Sequence, residues 1–229
     1  GFIAGAFGTL VGAGGGFIVM PVLLVCYKSI SPITLTAVSL AMICGNSISG
    51  SIAYATKKRI NYRAGLLFAI TAVPGSIIGA VIIDYIPRQV FYGFFGIVML
   101  LVSLYLLIQP GRLKESHDGS VHKFHLGFGI ISSFLVGMLS SMLGIGGGVI
   151  HVPVMIYLLG FPVHIATATS HFVLAIMTFS VTVFHIFAGN LNGKYIMVLG
   201  LLTGVIAGAQ LGAWASGKIG GKGIVRGLA

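Results

Sequence analysis

The sequence predicts an all-α integral membrane protein of two inverted repeats, each a glycine-broken helical hairpin followed by transmembrane helices. Three observations carry that prediction. Only 7% of the 229 residues are charged and 57% are hydrophobic, with a mean hydropathy of +1.08. Soluble domains carry about 25% charged residues, and 16 charged side chains cannot cover a water-facing surface. The apolar runs are continuous and near 20 residues, whereas barrel strands alternate over about 10. Finally, VGAGGGFIVMPVL at residues 11–23 returns as LGIGGGVIHVPVM at 143–155.

The two motifs align at an offset of 132: Gly5 on Gly137, Gly14 to Gly16 on Gly146 to Gly148, Pro21 on Pro153. After a one-residue deletion, Ala37-Val38-Ser39 meets Ala168-Thr169-Ser170 and Ile60-Asn61 meets Leu191-Asn192. At an offset of 133, Gly75 and Gly79 meet Gly208 and Gly212. Residues 1–109 and 125–229 are therefore two copies of one unit, joined by the polar linker 110–124, PGRLKESHDGSVHKF. Internal repeats of this kind mark secondary transporters.

The first copy divides into a glycine-broken segment at 1–27 and apolar runs at 32–56, 64–83 and 89–109. The second divides into 125–160, 162–188 and 195–216. By analogy a last helix is expected from about residue 222, continuing past Ala229, and residue 1 already lies in an apolar segment with no cleavable signal visible. As one helix, 125–160 would run roughly 54 Å, too long for a single crossing of about 30 Å. A hairpin turning at the glycines fits better; three further crossings per copy then invert the second copy.

Positive charge supports that topology. With hairpins, one side receives Lys57, Lys58, Arg59, Arg63, Arg112, Lys114, Lys123, Lys218, Lys222 and Arg226, against Lys28, Arg88 and Lys194 on the other. Single crossings would reduce ten against three to eight against five. The positive-inside rule prefers the hairpins and puts the linker in the cytoplasm. The net charge of +10 is thereby read as topology, not as a nucleic-acid surface. Cys26 and Cys44 have neither metal nor redox spacing and read as small hydrophobic residues.

A backbone break at membrane depth is tolerated where protein buries it or where it lines a wet cavity. Successive glycine amides can form an anion-binding nest, and the following helix adds its positive dipole end. The alternative is close helix packing, which small residues permit. Pro21 and Pro153 are expected to end or bend the returning half-helix.

A duplicated polar patch follows: Thr36, Ser39, Asn46, Ser47, Ser49 and Ser51, then Thr167, Thr169, Ser170, Thr178, Ser180 and Thr182. Interhelical glue is one reading; Ser39, Thr169 and Ser170, about two turns into their helices, also read as neutral donors to substrate oxygens. The histidines are asymmetric: His151, His171 and His185 fall on Val19 or Met20, Leu40 and Tyr54. His151 and His171 are candidates for a proton carrier or a cationic contact, with a satisfied neutral histidine as the alternative. Asp84, Glu115 and Asp118 all lie in loops. No carboxylate lies in a spanning run, which argues for an anionic substrate or for no ion coupling through acids. No acid–base pair, nucleophile elbow or metal spacing points to an enzyme, a cofactor or a metal.

The paired G-x-G-G-G-x-x-x-x-P motifs, the A-x-S element and the I-N after the polar helix resemble the TauE/SafE sulfite exporter family over essentially the whole chain. The resemblance implies a bacterial or archaeal cytoplasmic-membrane permease of about eight helical segments, moving sulfite or organosulfonates. Its site falls on Gly14, Gly15, Gly16, Ser39, Gly146, Gly147, Gly148, Thr169 and Ser170. Asn46, His151 and His171 complete the candidate substrate-binding set. The expected partners are a small anionic substrate and the lipid bilayer, with the proton as a candidate coupling ion. The competing functions are an anion-selective channel and a structural membrane subunit.

Overall fold

The computed structural model describes residues 1–108, 126–219 and 223–224. The linker 110–124 lies outside the described residues.

Helix α1 (Phe2–Val11) ends where Gly12 turns left-handed at φ 79°, and the Ala13 and Gly14 amides return to the Gly8 carbonyl. Helix α2 (Gly16–Cys26) starts after Gly15 at φ 80° and runs through Pro21 without ending there. Helix α3 (Pro32–Thr56) opens with Ser31 accepting from the Thr34 amide and proline at the first position, where its missing donor costs nothing. Helix α4 (Tyr62–Ile82) is capped by Asn61, which accepts from the Ala64 amide at 3.1 Å. A 3₁₀ turn, Ile83–Tyr85, leads to α5 (Arg88–Ile108). In the second copy come α6 (Leu126–Leu143) and α7 (Gly148–Pro153), with a π-helical stretch, Val154–Leu158, beginning after Pro153. Helices α8 (Val163–Phe187) and α9 (Tyr195–Ser216) follow.

Among the described residues five helices are long and apolar enough to cross a membrane: α3, α4 continued to Tyr85, α5, α8 and α9. The segments either side of each glycine break are shorter. Ten residues of α1 span only about 15 Å, half the hydrocarbon core. The chain folds back at both breaks. The Phe7 and Phe17 ring centroids lie 6.2 Å apart, and His151 Nε2 lies 3.1 Å from Ser133 Oγ. A Cβ on Gly15 would meet the Ala4 carbonyl, and one on Gly147 would lie 3.5 Å from the equivalent Val136.

The two copies interlock. Helix α1 packs on α9 while its copy α6 packs on α4; α3 packs on α9 while α8 packs on α4; α3 packs on α8. The contacts repeat residue by residue. A Cβ on Gly208 or Gly212 would meet the carbonyl of Phe2 or Ala6, and one on Gly75 or Gly79 that of Phe134 or Met138. Glycine is needed at these four places because backbone stands where a side chain would be. Each half thus offers the other a corresponding surface.

Candidate functional site: two glycine breaks in contact

The fold brings the breaks against each other. A Cβ on Gly148 would run into the Gly12 carbonyl, and one on Gly16 would lie 2.8 Å from the Ile145 carbonyl. Gly14, Gly15, Gly146 and Gly147 all have φ between 79° and 82°, a region costing other residues roughly 1–2 kcal/mol. Ile43 and its equivalent Leu174 flank the meeting point: a Cβ on Gly14 would lie 2.8 Å from Ile43 Cγ2 and 2.9 Å from Leu174 Cδ2.

Backbone bonds use the Gly12, Ala13 and Gly14 amides on α1 carbonyls, and the Ile18 and Val19 amides on Gly15. Among the described residues no hydrogen bond uses the Gly15, Gly16 or Phe17 amides, the orphan donors of a helix start.

Each break is latched from the opposite copy. Ser39 Oγ donates to the Gly144 carbonyl at 2.6 Å, and Ser170 Oγ donates to the Gly12 carbonyl at 3.4 Å. Both hydroxyl protons are thus spent on the chain itself, holding the residue that ends α6 or α1, and only their lone pairs face other partners. Thr169 is not brought to the breaks. Its hydroxyl accepts from the Asn61 amide at 3.0 Å, at the start of α4. His151 turns away as well, towards Ser133 of α6 and edge-on to Phe68 of α4, ring centroids 5.8 Å apart.

Asn46 and His171 do come together, through a residue the sequence analysis passed over. Thr9 Oγ1 donates to Asn46 Oδ1 at 3.3 Å and lies 3.3 Å from His171 Nε2. Which ring nitrogen of His171 carries the hydrogen sets whether Nε2 donates to Thr9 Oγ1 or accepts from it. Asn46 Nδ2, His171 Nδ1, Ser47 Oγ and Ser51 Oγ are buried without a hydrogen-bond partner. Buried polar groups are nearly always satisfied, so this cluster on α3 and α8 stands out. Ser47 faces the first break, its Oγ 3.7 Å from where a Gly14 Cβ would be.

The positions that align with these are poorer in polar groups. Thr9, Asn46, Ser47 and His171 become Ser141, Met177, Thr178 and Leu40, and Thr178 Oγ1 is spent on the Leu174 carbonyl of its own helix. The signal that would have found Thr9 is modest: a small hydroxyl residue stands three positions before the first glycine of both breaks.

The rest of the polar patch divides as helices generally divide such residues. Thr36, Thr167 and Ser180 bond their own helices. Ser49 joins α3 to α9, donating to the Ile206 carbonyl while Gln210 Nε2 donates to it.

A profile of the family described as Sulfite exporter TauE/SafE matches residues 1–229. The chain belongs to that family. The "Probable membrane transporter protein YunE" of Bacillus subtilis is 33% identical, over 98% of this chain and 89% of its own. YfcA of Escherichia coli K12, under the same description, is 28% identical over 92% of this chain and 76% of its own. A probable membrane transporter protein of Methanocaldococcus jannaschii is 31% identical over 74% of this chain and 64% of its own. No solved structure matches the chain significantly. This TauE/SafE chain is therefore a multi-pass protein of a membrane-transporter family.

Proposed function

We propose that the protein is a secondary transporter that moves a small sulfur-containing oxyanion, sulfite or an organosulfonate, by alternating access. The observation that carries this reading is the meeting of the two glycine breaks beside the Thr9–Asn46–His171 cluster. The unused Gly15, Gly16 and Phe17 amides at the start of α2 supply donors for an oxyanion, and Asn46 Nδ2 adds two more. The description of the family as a sulfite exporter supports a sulfur oxyanion as the substrate class. Ile43 and Leu174, buried against the breaks, favour a carrier over a standing pore.

The copies are inverted in the membrane and rock against each other around the breaks. The end bearing Lys57, Lys58, Arg59, Arg63 and the linker 110–124 faces the cytoplasm. His151 and His171 are the groups that a coupled proton would occupy.

Reconstituted protein should take up labelled sulfite or a two-carbon sulfonate into liposomes. Asn46→Leu should lower that flux at least tenfold, as expected when a buried site loses polar contacts. Equal flux in empty liposomes, or an Asn46→Leu protein of full activity, would overturn the reading. An imposed pH gradient that changes the initial rate would identify the proton as coupling ion.

A further inference from the structure

We propose that Tyr54 and His185 are the two gates of the pathway, one near each end, and that this structure has the Tyr54 gate closed and the His185 gate released. The inference rests on the carrier reading above and adds residues that reading does not use.

Tyr54 and His185 are equivalents at an offset of 131, each two residues before the end of its helix. Both are buried, at 1% and 0% exposure. Their surroundings correspond too: Tyr54 packs with Ile60, Ala168 and Ala213, and the equivalents Leu191, Ala37 and Ala80 are buried in the main core.

The hydrogen bonds do not correspond. Tyr54 Oη donates to the Thr9 carbonyl at 2.6 Å, so it ties the end of α3 to α1. Thr9 is the residue that holds Asn46 and His171, and the Tyr54 ring stands edge-on to His171 at 5.8 Å. The aromatic therefore stands between the polar cluster and the Lys57–Arg59 end, where Lys57 Nζ donates to the Ala213 carbonyl. On the other side, the equivalent of Thr9 is Ser141 on α6. The Ser141 carbonyl, the counterpart of the Thr9 carbonyl, accepts from the Gly144 amide, and among the described residues no side chain donates to it; His185 Nε2 is buried without a partner. His185 instead engages Asn190 in the loop after α8, Nδ1 to Nδ2 at 2.9 Å. Tyr54 latches its helix to the opposing half-helix; among the described residues His185 makes no such bond to α6.

A side chain that only glues helices would not make access to the cluster one-sided, so sidedness is the test. Ser47→Cys serves as reporter in a background where Cys26 and Cys44 are replaced, with Lys58→Cys marking the Lys57–Arg59 face. A membrane-impermeant maleimide is applied to right-side-out and inside-out vesicles. The reporter should react faster from the face opposite Lys58. Tyr54→Phe, which keeps the ring and removes the latch, should raise the rate from the Lys58 face about fivefold, as for loss of one hydrogen bond. His185→Ala should change only the rate from the opposite face, and gives a second route if Tyr54→Phe does not fold.

Equal reactivity from both faces, or the same change on both faces in either variant, would overturn the gates. The labelling needs no substrate. Sided labelling without sulfite flux would defeat the carrier reading and leave the gates. Flux with unsided labelling would defeat the gates alone.

Discussion

Gly15 and Gly147 occupy equivalent positions and share φ near 80°, yet alanine should cost them differently. Each substitution places an L side chain in the left-handed region, for roughly 1–2 kcal/mol. The neighbours then separate the two. At Gly147 the new Cβ would lie 2.7 Å from Ser140 Oγ, a hydroxyl on a side chain that can rotate away. At Gly15 it would run into the Ala4 carbonyl, main chain inside a packed hairpin, so overpacking of roughly 1–3 kcal/mol is added. Gly15→Ala should therefore be the less stable by about 1–3 kcal/mol, which for a domain of this size is about 2–12 °C in Tm. Thermal unfolding of the two detergent-purified variants, followed by size-exclusion chromatography, measures the difference. Equal midpoints, or Gly147→Ala the lower, would refute the account of the first break as rigid main chain against main chain.

Other expectations follow from the same contacts. Ser39→Ala leaves the Gly144 carbonyl without the donor now 2.6 Å away and should cost about 1–3 kcal/mol; Ser170→Ala, losing a bond of 3.4 Å, should cost less, and thermal midpoints rank the two. Gly79→Ala and Gly212→Ala would press on the Met138 and Ala6 carbonyls and should lower the yield of folded protein, whereas Gly93→Ala meets nothing within 4 Å and should be neutral or gain up to about 1 kcal/mol. Burial, and then the charge of Arg59, lower the pKa of the Lys57 amine just beyond α3. The folded chain thus holds that proton less tightly than the unfolded chain, and this contribution to stability rises as pH climbs through the titration. Carbon-13 methyl labelling followed by NMR should show a Lys57 midpoint below the ordinary lysine value; a midpoint at or above it would remove the effect.

Much of the helical framework is legible in the residues. The runs 32–56 and 195–216 are the observed α3 and α9 to the residue, because Ser31-Pro32 signals a start and hydrophobic length a crossing. The glycine triplets announce the fold-back, since a 36-residue apolar segment cannot cross once. Pro21 does not end its helix: it lies inside α2, where neighbouring helices support a helix that has lost one donor, while Pro153 precedes the π-helical stretch.

The sequence by itself determined that the chain lies in a membrane and that its glycine motif, written twice, breaks the chain at both places. Those properties are local or additive: hydropathy sums along a run, and a left-handed turn needs only its own residues. Partnership was decided by the tertiary structure alone. Ser170 and Ser39 look like free donors in the sequence, but the interlocked packing of α3 on α8 brings each to the other copy's glycine carbonyl. Thr169 and Ser170 are neighbours, yet they sit on different faces of α8 and meet different helices. Thr9 and His171 are 162 positions apart and meet at 3.3 Å. Hydrogen bonds act over about 3 Å, so which polar group answers which is settled only when the two copies close on each other.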